Sequence, residues 1–273
     1  VIDVPLRSSL SSFAFRLEGS SDAILAKRKM MPASFFISLS KEDFKGGDRT
    51  KRTKYYLGKV KVKNSSEFVL HDRGINPNRL VDPNGDYDEE DEEEGKEAMS
   101  REEKEASDLL DALIKPRVEL SCVLYSDDKN SDTMMNVGVP KVFGTQVAVW
   151  QGTSREDKLL HNLKAVVDRG SRNTLMRDQL MVLSDYEDPT RDVNGIDYNN
   201  RRVLASEKNF YVEYMEGGDP GKVIRKSVAR GDNISFPSIQ MHRVEKEEWA
   251  VQFTAPFTML QVFGICLTRF ALG

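Results

Sequence analysis

The amino-acid sequence predicts a mostly β protein, a barrel or a sandwich, with one buried helix at its C-terminal end. Three observations carry that reading: short β-rich runs punctuated by Gly, Asn, Asp and Pro clusters; an apolar run from Pro256 to Leu272; and a segregation of charge along the chain. At 273 residues the chain is long enough for one large β domain or two small ones. Its 39% hydrophobic and 31% charged residues suit a globular protein with a sizeable core and a charged surface.

The first elements lie in the basic third of the chain. Ser34 to Leu39 reads Ser-Phe-Phe-Ile-Ser-Leu, a β-rich run, and Tyr55 to Leu70 gives two more around the turn residues Lys63-Asn64-Ser65-Ser66, the pattern of a hairpin. Between them, Lys41 to Lys54 is polar and contains Gly46-Gly47-Asp48, as a solvated loop would. His71 to Pro77 closes the pair with turn residues. Basic residues crowd this region, in Lys27-Arg28-Lys29, in Arg49 to Lys54, and in Lys59, Lys61 and Lys63, the distribution of a face that seeks anions.

The acidic run from Asp86 to Glu105 accounts for more than the whole net charge of −4. It has no apolar period and cannot bury enough surface to offset its ordering entropy, so a disordered insertion is expected at about 82–107, with helix near 101–113. Strands are predicted beyond it at Arg117 to Tyr125, Gln146 to Trp150, Leu180 to Leu183, Tyr211 to Tyr214, Val223 to Val228 and Trp249 to Phe253.

In the last segment Phe257, Leu260, Val262, Phe263, Ile265, Cys266, Leu267 and Phe270 wrap nearly the whole circumference of a helix, which must therefore be buried on all sides. Pro256 suits its first turn. About 25 Å long at 1.5 Å per residue, it is short for a membrane span and the right length to thread a barrel.

Cys122 and Cys266, each in an apolar stretch, exclude a disulfide framework and a multi-cysteine metal site, and a reducing compartment is expected. The chain begins with Val, as a piece of a longer protein would. His71, His161 and His242 are scattered and form no nucleophile or acid–base constellation, so each reads as solvated or structural and no enzyme is expected. Gly217 to Lys222 is one residue short of a phosphate loop, with Val223 where Ser or Thr is required. Asp82, Asn84, Asp86 and Glu93 fall at calcium-loop positions, but Tyr87 replaces the needed Gly. Neither a metal nor a cofactor is expected.

Several blocks resemble one family. Pro256-Phe257-Thr258-Met259-Leu260-Gln261-Val262-Phe263-Gly264-Ile265-Cys266-Leu267 resembles the closing signature of tubby-like proteins, Arg202 to Phe210 their Ala-Ser-x-Lys-Asn-Phe segment, His71 to Pro77 their Tyr-Asp-Asn-Gly-x-Asn-Pro turn, and Tyr56 to Lys61 their Tyr-Ile-Gly-Lys-Leu-Arg strand. The blocks occur in family order over about Lys27 to Gly273, with weaker agreement around 81–115 and 153–200. The resemblance implies a single domain over residues 1–273, a closed antiparallel barrel of about twelve strands around a central hydrophobic C-terminal helix. It also implies binding of phosphatidylinositol 4,5-bisphosphate by a monomer that acts as an adaptor in trafficking or signalling. Such a protein would be cytoplasmic, peripheral at the plasma or ciliary membrane, with a nuclear location as the alternative.

Residues two apart in a strand point to one side, so Lys59, Lys61 and Lys63 are expected to project three ammonium groups at about 7 Å intervals, a spacing that suits adjacent phosphates on an inositol ring. An edge strand guarded from aggregation by lysines is the other reading of the same pattern. The resemblance favours Lys59 and Lys61 as phosphoinositide ligands. Where the family has a pocket Asn this chain has Ser34, whose hydroxyl can still donate, and where it has the Arg of a Pro-Arg-Lys segment this chain has Gly144, with Lys141 the nearby substitute. Two other functions compete: nucleic-acid binding in a transcriptional regulator, which the basic clusters alone would allow, and a scramblase-like membrane protein, which requires Pro256 to Leu272 to enter the bilayer.

Overall fold

The computed structural model describes residues 2–9, 11–16, 22–29, 33–44, 55–74, 116–127, 133–143, 146–147, 158–169, 179–185, 194–196, 202–214 and 237–272. The protein is mainly β. Among the described residues, twelve antiparallel strands form its main sheet: β1 (Ile2–Ser9), β2 (Ser12–Arg16), β3 (Ala23–Lys29), β4 (Ser34–Ser38), β5 (Tyr56–Asn64), β6 (Glu67–Asp72), β7 (Glu119–Asp127), β8 (Thr133–Pro140), β9 (Leu180–Asp185), β10 (Phe210–Tyr214), β11 (Ser238–Glu245) and β12 (Glu248–Phe253). Each pairs with its neighbours in sequence, and β12 pairs with β1, so the ring returns on itself. Two short ribbons, Val142–Phe143 with Gln146–Val147 and Gly195–Ile196 with Arg202–Val203, lie outside it.

Alternation along the strands sorts the side chains into two sets. Leu6, Phe13, Phe15, Phe35, Ile37, Val60, Leu70, Val137, Val212, Met241 and Val251 face inward, into one core shared with the terminal helix α2 (Met259–Arg269). The helix earns its place by burial all round: Gln261 to Arg269 are buried without a break. Phe15 stacks on Phe263 at 5.2 Å between ring centroids, and Trp249 meets Phe270 edge-on at 4.9 Å.

The helix starts later than its sequence predicts. Thr258 is extended (φ −85°, ψ 154°) and forms a capping box, its hydroxyl accepting the Gln261 N–H while the Gln261 side-chain oxygen accepts the Thr258 N–H. Pro256 therefore lies ahead of the cap rather than in the first turn. Among the described residues no helix is long and apolar enough to cross a membrane.

A second, amphipathic helix, α1 (Leu159–Arg169), packs on the outer face of β6, β7, β8 and β9. Leu159, Leu163 and Val166 lie against Val69, Cys122, Leu124, Leu180 and Val182. Sequence reading left α1 out, and also β1 to β3, β8 and β11. The predicted insertion at 82–107, the helix near 101–113 and the strand at 223–228 lie outside the described residues, as do the phosphate-loop-like and calcium-loop-like segments and Trp150.

Candidate functional site

Strand β5 positions the lysines. Val60 is in the core and Val62 packs against it, which leaves Lys59 and Lys61 on the outer face. Exposure rises along the strand: Lys59 is only 6% exposed, Lys61 half-buried and Lys63 exposed. The hairpin turn beyond them is held by Asn64, whose side-chain oxygen accepts from the Ser66 N–H at 2.9 Å and from its hydroxyl at 3.0 Å.

The register shifts between Val62 and Asn64, which pair with Phe68 and Glu67. Lys63 is the extra residue of this bulge. The strict two-residue period thus holds for Lys59 and Lys61 and is interrupted at Lys63.

Ser34 opens β4. Phe35 and Ile37 turn into the core, so Ser34 and Phe36 share the outer face with the lysines. The β4–β5 register sets Ser34 directly opposite Lys61 and Phe36 opposite Lys59. Ser34 is buried, and its hydroxyl therefore lies at the floor of this face beside the Lys61 stem.

On the other side of β5, His71 of β6 stands opposite Lys59. It belongs to the strand rather than to the turn that the sequence suggested, and it is buried. Burial pushes its imidazole well below the ordinary histidine value, and the nearby charges of Arg117, Lys59, Lys63 and Lys61 push the same way. His71 is therefore neutral at physiological pH. Arg117 is tied to this strand by its neighbour: the Val118 N–H donates to the Asp72 carboxylate at 2.9 Å, and the Val118 carbonyl accepts the Asp72 N–H at 3.1 Å. From sequence His71 read as solvated or structural, and Arg117 was not named as a site residue. The hairpin register counted back from Asn64 was the available signal for His71.

Lys141 is placed apart from the others. It follows the end of β8, three strands from β5 or about 14 Å at the usual strand spacing, and its N–H donates to the Gln179 carbonyl at 2.8 Å. The structure brings together Lys59, Lys61 and Ser34, with Lys63 at the bulge above them. Gly144 lies outside the described residues.

The edge-strand reading of the lysines has no structural counterpart, because β5 is hydrogen-bonded to β4 on one side and β6 on the other. Lysines on an interior strand crowd like charges with no aggregation-prone rim to protect. Their arrangement suits an anion with several closely spaced negative groups.

No curated protein matches the chain. The Tub family model matches it over residues 10–272, nearly its whole length. With the terminal helix buried among antiparallel strands and the Gly58-Lys59 segment on an interior strand, that match shows that the chain belongs to the Tub family, the tubby-like proteins.

Proposed function

We propose that this protein binds the head group of phosphatidylinositol 4,5-bisphosphate at a membrane surface, through Lys59, Lys61 and Ser34, and acts as a membrane-tethered adaptor in trafficking or signalling. The observation that carries this reading is the placement of two ammonium groups on one face of an interior strand, with a hydroxyl opposite one of them. Adjacent phosphates on a ring match the interval of about 7 Å between alternate strand residues. Lysine is a flexible point-charge donor to phosphate, and the Ser34 hydroxyl adds a neutral donor that a ring hydroxyl or phosphate oxygen accepts. The exposed Lys63 contributes attraction at longer range, and Lys141 acts at the periphery. A neutral His71 keeps the local charge from rising further.

Flotation with vesicles containing phosphatidylinositol 4,5-bisphosphate tests the proposal. The wild-type protein is expected to float and the Lys59→Ala/Lys61→Ala variant, checked for folding by circular dichroism, to remain at the bottom. Flotation of the double variant at wild-type level would remove these residues from the site. Duplex DNA added across a salt series separates the nucleic-acid reading, in which competition would be strong and steeply salt-dependent. In cells, phospholipase activation is expected to release the protein from the membrane.

A further inference from the structure

Strand β3 adds a second row of cations beside the first. Arg28 turns inward: its guanidinium donates to the Phe270 carbonyl at the end of α2, at 3.2 Å, and lies 5.9 Å from the centroid of the Phe35 ring. Ala26, two residues earlier, is in the core. These two inward residues fix the phase of the strand, so Lys27 and Lys29 face outward.

The strand registers place them. Lys29 pairs with Ser34 and Lys27 with Phe36, and across β4 the same two residues pair with Lys61 and Lys59. Four lysines thus mark the corners of a patch about 7 Å long and, at two strand spacings, about 10 Å wide. Ser34 lies midway between Lys29 and Lys61. At the Lys27 corner, the ammonium donates to the Phe44 carbonyl at 3.1 Å. Lys29, half-buried, stands at the corner beside the serine.

We infer that Lys29 is the third cation of the head-group site, standing across Ser34 from Lys61 and contacting the phosphate on the far side of the inositol ring. The inference rests on the proposed function and adds a residue to it. Two lysines on one strand meet two adjacent phosphates. A third donor two strands away, on the same face, fixes the ring's orientation about that axis, which a single row of charges leaves free. Lys141 is less suited to this role, because β6 and β7 lie between it and β5.

The test compares Lys29→Gln with Lys246→Gln, which removes the same charge from the exposed turn between β11 and β12. Each is titrated with vesicles containing phosphatidylinositol 4,5-bisphosphate and, separately, with soluble inositol 1,4,5-trisphosphate, which distinguishes a lipid source from a free one. Lys29→Gln is expected to weaken both titrations about tenfold, the loss of one charge-assisted contact, while Lys246→Gln leaves both unchanged and Lys29→Arg retains most of the binding. Equal behaviour of Lys29→Gln and Lys246→Gln, with Lys59→Ala/Lys61→Ala inactive, overturns the role of Lys29 alone. Weakening with vesicles only also overturns it, by reducing Lys29 to general membrane attraction. Failure of the wild-type protein to bind either ligand overturns the proposed function and this inference together.

Discussion

The carboxylate of Glu119, on strand β7, accepts the backbone N–H of Leu159 at 2.6 Å, so the first turn of α1 is fastened to a residue of the barrel wall. The helix has no acidic residue in its own first turn, and a carboxylate there offsets both an orphan donor and the positive end of the helix dipole. Glu119 also pairs with His71, which pairs with Lys59, so the outer helix and the lysine face share one row across the sheet. Burial raises the Glu119 carboxyl above its ordinary value, while the Leu159 N–H and the charges of Lys158, Lys63 and Arg117 pull it back.

Glu119→Ala is accordingly expected to destabilise the protein by about 1–2 kcal/mol, the usual cost of losing a capping acceptor. Glu119→Gln, which keeps a carbonyl oxygen, should cost less. Thermal denaturation checks both, at roughly 2–4 °C per kcal/mol for a domain of this size. A Glu119→Ala midpoint equal to wild type would show that α1 is held by its apolar face alone.

His71 sets a pH dependence whose sign follows from its surroundings. Its folded value lies below the ordinary 6.5, so the unfolded chain binds more protons once pH falls below that value. The contribution to stability is complete above pH 6.5 and is lost as pH falls through the folded value. The denaturation midpoint is therefore expected to drop on acidification below pH 6.5, with a limiting slope for one proton of about 1.4 kcal/mol per pH unit. His71→Gln should flatten that part of the profile, and an unchanged slope in the variant would assign it to other groups.

Gly58 precedes Lys59 where the β4–β5 register shifts, and a Cβ at this position would overlap the carbonyl oxygen of His71. A backbone oxygen of the neighbouring strand has no rotamer by which to move away. Gly58→Ala is expected to cost about 3 kcal/mol and to weaken head-group binding by displacing Lys59, both readable by denaturant titration and vesicle flotation. Wild-type stability in that variant would show that the β5–β6 pair separates more easily than its register implies.

The legibility of these features in the sequence follows their chemistry. The terminal helix was visible because Phe257 to Phe270 is apolar on every side, a pattern that only burial explains. The β5–β6 hairpin was visible because Val60 and Val62 alternate with lysines up to an Asn-Ser-Ser turn. Helix α1 was missed although Leu159, Leu163 and Val166 sit at helical spacing, because His161, Asn162, Lys164, Asp168 and Arg169 make its mean hydropathy unremarkable and it lies in a stretch of weak family agreement. Strands β8 and β11 carry polar residues such as Asn136, Gln240 and His242 that are buried by pairing or outer packing, which breaks the alternation that sequence reading relies on.

In the site, Lys59 and Lys61 stood out because they alternate with Val60 and Val62 and because the family resemblance favours them, whereas Ser34 was named only through that resemblance, at the position of the family's pocket Asn. Lys29 was not, because Lys27-Arg28-Lys29 reads as an undivided basic cluster until the inward contact of Arg28 with Phe270 splits it between two faces. Arg117 is brought here by its neighbour Val118, which lies 46 positions from its partner Asp72, a closeness that only the fold creates.

The seam where β1 meets β12 joins the first and last strands of the sheet, with Ile2 paired to Phe253 and Arg7 to Glu248. Among the described residues no other strand completes this ring. Displacing that first ribbon would bare the rims of both β2 and β12 at once, turning a self-contained wall into one with two open templates for pairing with other molecules.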